Sequence, residues 1–188
     1  MAAVERALGI PCLEVPTLSP SVPGMRLQFA FERSLNDHGV IIHTGVHIER
    51  PCIEGRHCVS LVDDMGRTHD ASAIIVSTGG ILMGGLDVDS RGAVRETVLG
   101  LDVHQSEPLN ALSVDQSLSA LHLTGVVTDG DLRPASNGST AYENVFVTGR
   151  TLANWNPAEE SSAEGVSIAT GWVAAEAAHA YLGALRDG

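Results

Sequence analysis

The stretch ENVFVTGRTLANWNPAEESSAEGVSIATGWVAAEAA, residues 143–178, decides which fold the chain is expected to adopt. Val145, Phe146 and Val147 form a short apolar run of β-branched and aromatic residues, and Gly149 follows them. This composition predicts a buried strand that ends in a sharp turn.

A helix is predicted after the strand, beyond a polar loop that contains Pro157. Apolar residues recur there at steps of three and four, which indicates one buried helix face: Val166, Ala169, Val173, Ala177 and Tyr181. Because helix N-termini offer unpaired amides and the positive end of a dipole, a strand, a glycine turn and a helix together favour an anion site. Ser161 and Glu164 also fit a capping box, which would satisfy the helix end without a ligand.

Composition narrows the class of protein. The chain has 188 residues, enough for one domain, and its 44% hydrophobic content argues against disorder. A formal charge of −12 with no basic cluster argues against nucleic-acid binding. No apolar run approaches the roughly 20 residues that span a bilayer. Three cysteines and no signal-peptide pattern predict a reducing cytoplasm.

The first half of the chain divides into a helical part and a β-rich part. Helices are predicted over residues 1–8 and from Val22 to Gly39, with Ser21 as N-cap, and a strand over 10–15. Residues 40–77 contain short β-rich runs, which predict an antiparallel meander and a buried strand over 73–77. A hairpin turn is expected at residues 65–67, with Asp64 bonding the backbone.

The remaining segments give weaker patterns. We expect an irregular loop over 81–96, strands over 98–103 and 125–128, and a helix over 114–121. In TDGDLRP, residues 128–134, Asp129 and Gly130 favour positive φ. Asn137 and Gly138 predict another turn.

Four segments together carry a resemblance to a known family: PTLSPSVPGMRLQ at 16–28, GGL and RETVLGLDV within 84–103, TDGDLRP at 128–134, and ENVFVTG at 143–149. In this order they resemble the B subunit of the anaerobic, quinone-linked glycerol-3-phosphate dehydrogenase, within the FAD-dependent oxidoreductase superfamily. The resemblance implies an α/β chain that forms the C-terminal part of a two-dinucleotide-type flavoprotein fold, with an antiparallel β-meander and a C-terminal helix.

The Rossmann G-x-G-x-x-G unit that opens such a fold is absent from this sequence. We therefore expect a single partial domain, residues 1–188, that corresponds to the C-terminal half of the B subunit. Such a chain is expected to bind flavin weakly or not at all by itself.

The family implies oxidation of sn-glycerol 3-phosphate to dihydroxyacetone phosphate in anaerobic respiration. Its cofactor would be a flavin, either FMN or FAD. Its partners would be a catalytic A-like flavoprotein subunit and a membrane-anchored iron–sulfur C-like subunit, which would hold the chain at the inner face of the cell membrane. The alternatives are a fumarate-reductase-like flavoprotein and a non-catalytic assembly subunit.

Backbone turns and a helix opening are the expected cofactor contacts: Thr78, Gly79, Gly80, Gly149, Arg150, Gly165, Val166 and Ser167. Arg26 and Arg95 are candidates for an anionic substrate because guanidinium groups bind phosphate through two parallel bonds. Nothing in the sequence singles out a catalytic base among His43, His47, His104 and His122. The spacing of His47, Cys52, His57 and Cys58 matches no zinc pattern, so no metal is expected.

Overall fold

The computed structural model describes residues 2–12, 21–105, 108, 120–162 and 164–187. The chain divides into two compact units, Met1–Gly45 and Val46–Gly188, and each is described by itself. The second unit is a mixed α/β structure. The single-domain organisation and the two-dinucleotide fold stay predictions.

The described residues of the first unit form two helices, α1 over Ala2–Leu8 and α2 over Val22–Asp37. Ser21 caps α2 as predicted, since its Oγ accepts the Gly24 N–H at 3.2 Å. Gly39 has φ 74°, the left-handed conformation expected where this helix stops. The strand predicted over 10–15 is wrong at 10–12, where no strand forms, and its other residues lie outside the described ranges.

The second unit opens with the predicted antiparallel meander. Its strands are β1 over Ile48–Glu54, β2 over His57–Asp63 and β3 over Thr68–Asp70, in that order. Residues 40–47, all of which the structure describes, lie outside any strand.

The hairpin between β2 and β3 is held by Asp63, not by Asp64. The Asp63 Oδ1 accepts the backbone N–H groups of Met65 and Arg67 at 3.0 and 2.9 Å, and its Oδ2 contacts Arg67 Nε at 2.7 Å and His69 Nε2 at 3.0 Å. Burial by itself raises the pKa of Asp63, but hydrogen bonds from His69, Arg67 and Met65 outweigh burial and hold that pKa well below its ordinary value.

We expect Asp63→Asn to lower the free energy of unfolding near neutral pH and to make it less sensitive to acid. A carboxyl group with a lowered folded-state pKa stabilises the protein above its unfolded pKa of 3.8, and this contribution is lost as the pH falls through the folded value. Urea unfolding between neutral pH and about pH 2 should therefore show the two proteins converging in stability. A stability difference that stays constant with pH would contradict this account.

In the described part of the chain, eight short strands follow the meander, and their bounds are: β4 Ile74–Val76, β5 Leu86–Val88, β6 Val94–Glu96, β7 Val103–His104, β8 Gly125–Val126, β9 Ala135–Ser136, β10 Ser139–Thr140 and β11 Val145–Val147. There are 3₁₀ turns over Ile81–Met83 and Gly149–Thr151. Helix α3 covers Pro157–Glu160, and the long helix α4 covers Gly165–Asp187.

Strands β4 and β11 pair in parallel, with Val145 opposite Ile74 and Val147 opposite Val76. All three β11 side chains are fully buried. The predicted strands at 73–77 and in ENVFVTG are therefore confirmed as the centre of the unit. Because the strands are parallel, their carboxyl ends and the turns that follow lie at one edge.

Several predictions between these two strands are wrong. Residues 81–96 form a 3₁₀ turn and the β5–β6 hairpin instead of an irregular loop. The strand expected over 98–103 is replaced, up to residue 102, by a loop whose Val98 and Leu99 amides donate to the buried Glu96 carboxylate at 2.9 and 2.7 Å. Most of the helix expected over 114–121 lies outside the described residues, although 120–123 are helical.

The turn predictions near the end of the chain have mixed outcomes. Asn137 and Gly138 have φ 50° and 78° and join β9 to β10, as predicted. In TDGDLRP, however, the left-handed residue is Leu132, with φ 63°. Asp129 accounts for this, because its Oδ1 accepts the N–H groups of Asp131 and Arg133 and wraps the turn around its own side chain.

Helix α4 packs on the parallel pair through a face that overlaps the predicted one: Val166, Ala177 and Tyr181 pack against the core, but Ala169 and Val173 are exposed. Ala174 and Ala178 are buried against Phe146, whereas Val173 is 42% exposed. Tyr181 lies on the packed side, with its ring edge-on to Phe146 at 6.4 Å between centroids. Because alanine occupies many positions of this helix, the spacing of its apolar residues did not decide between adjacent positions as the most buried ones.

Candidate functional site

The turns after β4 and β11 meet at the carboxyl edge of the parallel pair. The Thr151 hydroxyl donates to the Gly79 carbonyl at 3.2 Å. A Cβ placed on Gly80 would lie 3.2 Å from the Arg150 carbonyl oxygen. The close approach of the two backbones depends on glycine at this point.

The start of α4 joins the same edge. Gly149 has φ 67°, and its N–H donates to the Thr170 hydroxyl at 3.0 Å. Thr170 Oγ1 also lies 2.9 Å from Thr148 Oγ1. A Cβ placed on Gly149 would be 3.5 Å from Ser167 Oγ. The structure thus brings together the two glycine turns and the first turns of the helix.

Not every predicted backbone donor is open to a ligand. The Gly149 amide is engaged by Thr170, and the Gly165 amide donates to the Ser162 carbonyl at 2.7 Å. Val166 packs against the core next to β11. The capping box is wrong, because Ser161 has φ 51° after α3 and α4 begins only at Gly165.

Gly85 closes one side of the first turn. A Cβ placed on Gly85 would lie 2.1 Å from the Gly79 carbonyl oxygen and 2.6 Å from Thr78 Oγ1. The Thr78 hydroxyl is buried and has no hydrogen-bond partner among the described residues. Close packing of the GGL segment on the TGG turn therefore fixes the turn's shape.

A cleft of about 370 Å³ opens beside this edge and includes three residues singled out in the sequence, Gly80, Arg150 and Glu164. Apolar side chains supply most of its other lining: Ile81, Leu82, Met83, Leu86, Leu121 and Trp155. Ligand sites of this size are typically apolar with a few placed polar groups. The cleft is therefore the candidate site.

Arg150 is the central charged group of the cleft. Its guanidinium lies over the Trp155 ring, 5.0 Å from the centroid, and its Nη1 is 3.5 Å from His122 Nδ1. Trp155 is only 7% exposed, so it holds the guanidinium plane over a fixed surface. Glu164 supplies a carboxylate to the same cleft, and its negative charge disfavours a phosphate nearby.

Sequence reasoning missed several residues that build the site. Thr151 and Thr170 bond the two glycine turns, and Trp155 lies under the Arg150 guanidinium. The sequence did not distinguish His122 from three other histidines, and the fold places it beside Arg150. The only signal in the sequence was the position of Thr151 and Trp155 shortly after ENVFVTG.

Arg95, one of the two arginines predicted for an anionic substrate, does not line the cleft. Arg95 lies on β6, and its guanidinium donates twice to Asp87 Oδ2, at 3.1 and 2.7 Å. Arg26 lies on α2, in the first unit. The substrate role of both residues stays a prediction.

The histidine and cysteine cluster considered for a metal gives no such site. Within the described ranges, no three His, Cys, Asp or Glu side chains are placed to hold a metal ion. Burial raises the pKa of the Cys58 thiol, and its Sγ lies 3.5 Å from the Ser60 carbonyl, as for a small structural side chain. No helix in the described part of the chain is long and apolar enough to cross a membrane.

Comparison with known proteins identifies relatives along nearly the whole chain. It is 34% identical over 94% of its length to the probable anaerobic glycerol-3-phosphate dehydrogenase B subunit of Halobacterium salinarum, covering 42% of that protein. It is 30% identical to the B subunit of Yersinia enterocolitica and 28% identical to that of Vibrio cholerae, each over 94% of the chain, covering 42% and 41% of those proteins. No family model matches the chain. The chain spans about two fifths of the length of these relatives.

Proposed function

Because the chain belongs to the family of the anaerobic glycerol-3-phosphate dehydrogenase B subunit, we propose that it forms one wall of a flavin site in a multi-subunit dehydrogenase. The proposed reaction is the oxidation of sn-glycerol 3-phosphate to dihydroxyacetone phosphate, with electrons passed to the quinone pool. Because the chain spans 42% of its Halobacterium relative, the rest of the site would come from polypeptide outside the matched region.

The observation that supports this proposal is the meeting of three backbone features at one cleft. Two parallel strands end there, each in a glycine turn, and the Thr151 hydroxyl ties the second turn to Gly79. The first turns of α4 lie against Gly149. In α/β proteins, ligands bind at the carboxyl ends of parallel strands and near helix N-termini.

The residues present fit the ring system of a flavin better than its whole nucleotide. The cleft volume of about 370 Å³ and its apolar walls suit a flat tricyclic ring. Leu82 and Met83, which are 88% and 78% exposed, offer apolar contact. A pyrophosphate would meet the Glu164 carboxylate, and the Gly149 amide is already engaged by Thr170.

A bound flavin would supply the two-electron acceptor for an alcohol oxidation. The chain's own contribution would be positional and electrostatic. Arg150, held over Trp155, would place positive charge at the ring edge or at a phosphate. The Thr170 bridge to Thr148 and Gly149 would hold the second turn at a fixed distance from the helix.

The proposed partners are those that the family implies: an A-like flavoprotein subunit and a membrane-anchored iron–sulfur subunit. In that assembly the chain would lie at the inner face of the cell membrane. The engaged Gly149 amide and the Glu164 carboxylate in the cleft favour a second candidate, an assembly subunit that binds no flavin itself.

Flavin binding to the purified chain tests the proposal. We expect saturable but weak binding of FMN and FAD, too weak to survive gel filtration, followed by quenching of flavin fluorescence. Arg150→Gln should weaken binding about 10-fold, the loss of one charge-assisted contact of roughly 1.4 kcal/mol. Arg91→Gln, in the β5–β6 turn, is the matched control and should bind as the wild type does.

Equal binding of flavin by the wild type and Arg150→Gln would contradict the flavin proposal. So would the absence of saturable binding of either flavin both to the chain alone and to the chain together with an A-like subunit. Turnover of glycerol 3-phosphate with a dye acceptor, with and without an A-like subunit, separates the two candidates. Activity that requires the A-like subunit and survives both Arg26→Ala and Arg150→Ala would favour the assembly role.

A further inference from the structure

The β1–β2 hairpin carries two of the three cysteines of the chain, Cys52 and Cys58. Both thiols are free; Cys58 is fully buried, and Cys52 is partly exposed. Neither residue lines the candidate site. The proposed function therefore leaves these two thiols without a role.

The strand register places the two cysteines close together across the hairpin. Ile53 is paired with Cys58, and Cys52 directly precedes Ile53. Strands rise about 3.3 Å per residue, and paired Cα atoms lie about 4.5–5.5 Å apart, so the Cα atoms of Cys52 and Cys58 should be about 6 Å apart. Disulfides span Cα separations of roughly 4.4–6.8 Å. The backbone therefore allows a bridge between these residues.

A β-bulge turns the two cysteines to the same face of the hairpin. In a regular ladder they would point to opposite faces, because neighbouring residues of a strand alternate. Here the register shifts, since Cys52 is paired with Ser60 and Val59 is left unpaired with β1. Cys58 and Ser60 are buried, and Cys52 is partly buried. Ile53, although paired with Cys58, is 39% exposed.

The surroundings of the two sulfur atoms differ in a way that gives each a different chemical role. Burial raises the pKa of the Cys58 thiol; hydrogen bonds from the Ser60 and Cys52 backbones lower it by less, and the Cys52 thiol raises it further. The Cys58 sulfur therefore lies beside Cys52. On the other side, the Arg50 guanidinium donates to the Cys52 sulfur at 3.6 Å. Positive charge beside a sulfur favours the attack of that sulfur on a disulfide.

We propose that Cys52 and Cys58 form a reversible disulfide, which makes the β1–β2 hairpin a site of oxidative modification. Cys52 reacts first, because it is accessible and lies beside Arg50. Its sulfur attacks a low-molecular-weight disulfide, the sulfur–sulfur bond of that molecule breaks, and one half leaves as a thiol. The Cys58 thiol then loses its proton, and its sulfur attacks the Cys52 sulfur and releases the other half as a second thiol. Two protein thiols are oxidised, and one small disulfide is reduced.

The bridge would tie three segments of the protein together. The Asn144 side chain already bonds the backbone N–H and carbonyl of Cys58, so the disulfide would join β1 to the segment that leads into the parallel pair. In a reducing compartment such disulfides are transient and report oxidising conditions. The proposal depends neither on the flavin nor on the reaction.

Peptide mapping tests the proposal. The protein is the Cys12→Ser variant, which lacks the third thiol, and the probe is oxidised glutathione, which is removed before digestion without reductant. Arg56 lies between the two cysteines, so trypsin separates them into two peptides that stay joined only if the disulfide has formed. We expect the joined peptides, together with an intact mass that is lower than that of the reduced protein by two hydrogen atoms.

Single-cysteine variants in the same background separate the two steps. Cys58→Ser should keep one glutathione on Cys52, because no second thiol releases it. Cys52→Ser should take up no glutathione, because the remaining Cys58 is buried. Arg50→Gln should slow the first step by about 2- to 5-fold, the size expected for a partly exposed charge. Arg186→Gln, at the end of α4, is the matched control and should react at the rate of its parent.

The second step should depend on pH. Because burial raises the pKa of the Cys58 thiol, only a small fraction of it is thiolate near neutral pH, and this fraction grows as the pH rises. Closure of the disulfide should therefore accelerate from neutral to mildly alkaline pH. The time course of the joined peptides after acid quenching measures this rate.

Four results would overturn the proposal. In the Cys12→Ser protein, Cys52 could fail to react, or it could keep its glutathione at every pH with no joined peptides. The disulfide could instead join the Cys52 residues of two chains. Finally, a rate of closure that follows the unfolded fraction in urea would show that the bridge forms in the unfolded chain and not in the folded hairpin.

Discussion

Gly125→Ala is expected to lower the free energy of unfolding by ~3 kcal/mol or more, as overpacking against backbone does. A Cβ on Gly125 would lie 2.5 Å from the Leu152 carbonyl carbon, 2.6 Å from its oxygen and 2.7 Å from the Ala153 nitrogen. All three are backbone atoms, so no side-chain rotation can relieve the contact. Strand β8 would have to separate from the segment that follows β11.

This separation would break specific hydrogen bonds near the cleft. Val126 forms a parallel bridge with Leu152, and the Ala153 N–H donates to the Val126 carbonyl at 3.0 Å. Leu152 directly follows the turn that carries Arg150. We therefore expect Gly125→Ala to lose flavin binding along with stability, which thermal unfolding and flavin titration on the same sample would measure.

Gly183→Ala is the control for the loss of a glycine as such. Gly183 lies in α4, and a Cβ there would meet nothing within 4 Å. Alanine in a helix interior is favoured over glycine by about 0.8–1.0 kcal/mol, so this variant should be slightly more stable than the wild type. A Gly125→Ala protein with wild-type stability would show that β8 and Leu152 are not in close contact.

Structural features that depend on residues adjacent in sequence could be predicted. The Ser21 cap, the Asn137–Gly138 turn and the buried VFV strand each rest on a few adjacent side chains, and the structure has all of them. The error between Asp64 and Asp63 is also local. Both aspartates are placed to bond a turn, and only the burial of Asp63 in β2 decides between them.

Long-range contacts explain what the sequence could not predict. In the sequence, Gly125 and Gly85 look like ordinary turn glycines. A Cβ on Gly125 would collide with the backbone of Leu152, which is distant in sequence, and a Cβ on Gly85 would collide with the backbone of Gly79, against which the chain folds back. His122 gains its place only because β8 lies beside the segment after β11. The packed face of α4 was predictable only in part: Val166, Ala177 and Tyr181 lie on it, but the fully buried residues are Ala174 and Ala178, which the sequence did not distinguish from the other alanines.

Asn144→Ala is expected to have an effect as large as that of Gly125→Ala. The Asn144 side chain is 2% exposed and joins three backbone groups: its Oδ1 accepts the Cys58 N–H at 2.9 Å, and its Nδ2 donates to the carbonyls of Cys58 and Ser72 at 2.8 and 3.2 Å. This asparagine therefore links the meander to the segment that leads into the parallel pair, and it lies within the ENVFVTG motif.

Alanine would leave the Cys58 N–H and carbonyl buried without partners, because Cys58 is fully buried. Each unsatisfied buried group costs about 1–3 kcal/mol, so we expect a loss of ~3 kcal/mol or more in urea unfolding. Asn36→Ala, at an exposed position on α2, should change stability by less than about 0.5 kcal/mol.

Asn144→Asp distinguishes the hydrogen bonds from simple packing, because aspartate has nearly the same shape as asparagine. Its carboxylate can still accept the Cys58 N–H, but its second oxygen would face the two carbonyls that Nδ2 now satisfies. When protonated, that oxygen can donate to one of them. We therefore expect Asn144→Asp to be strongly destabilised near neutral pH and to recover relative to the wild type as the pH falls. If the variant were as stable as the wild type at neutral pH, the link between the two sheets would depend on shape alone, and the three hydrogen bonds would not be its cause.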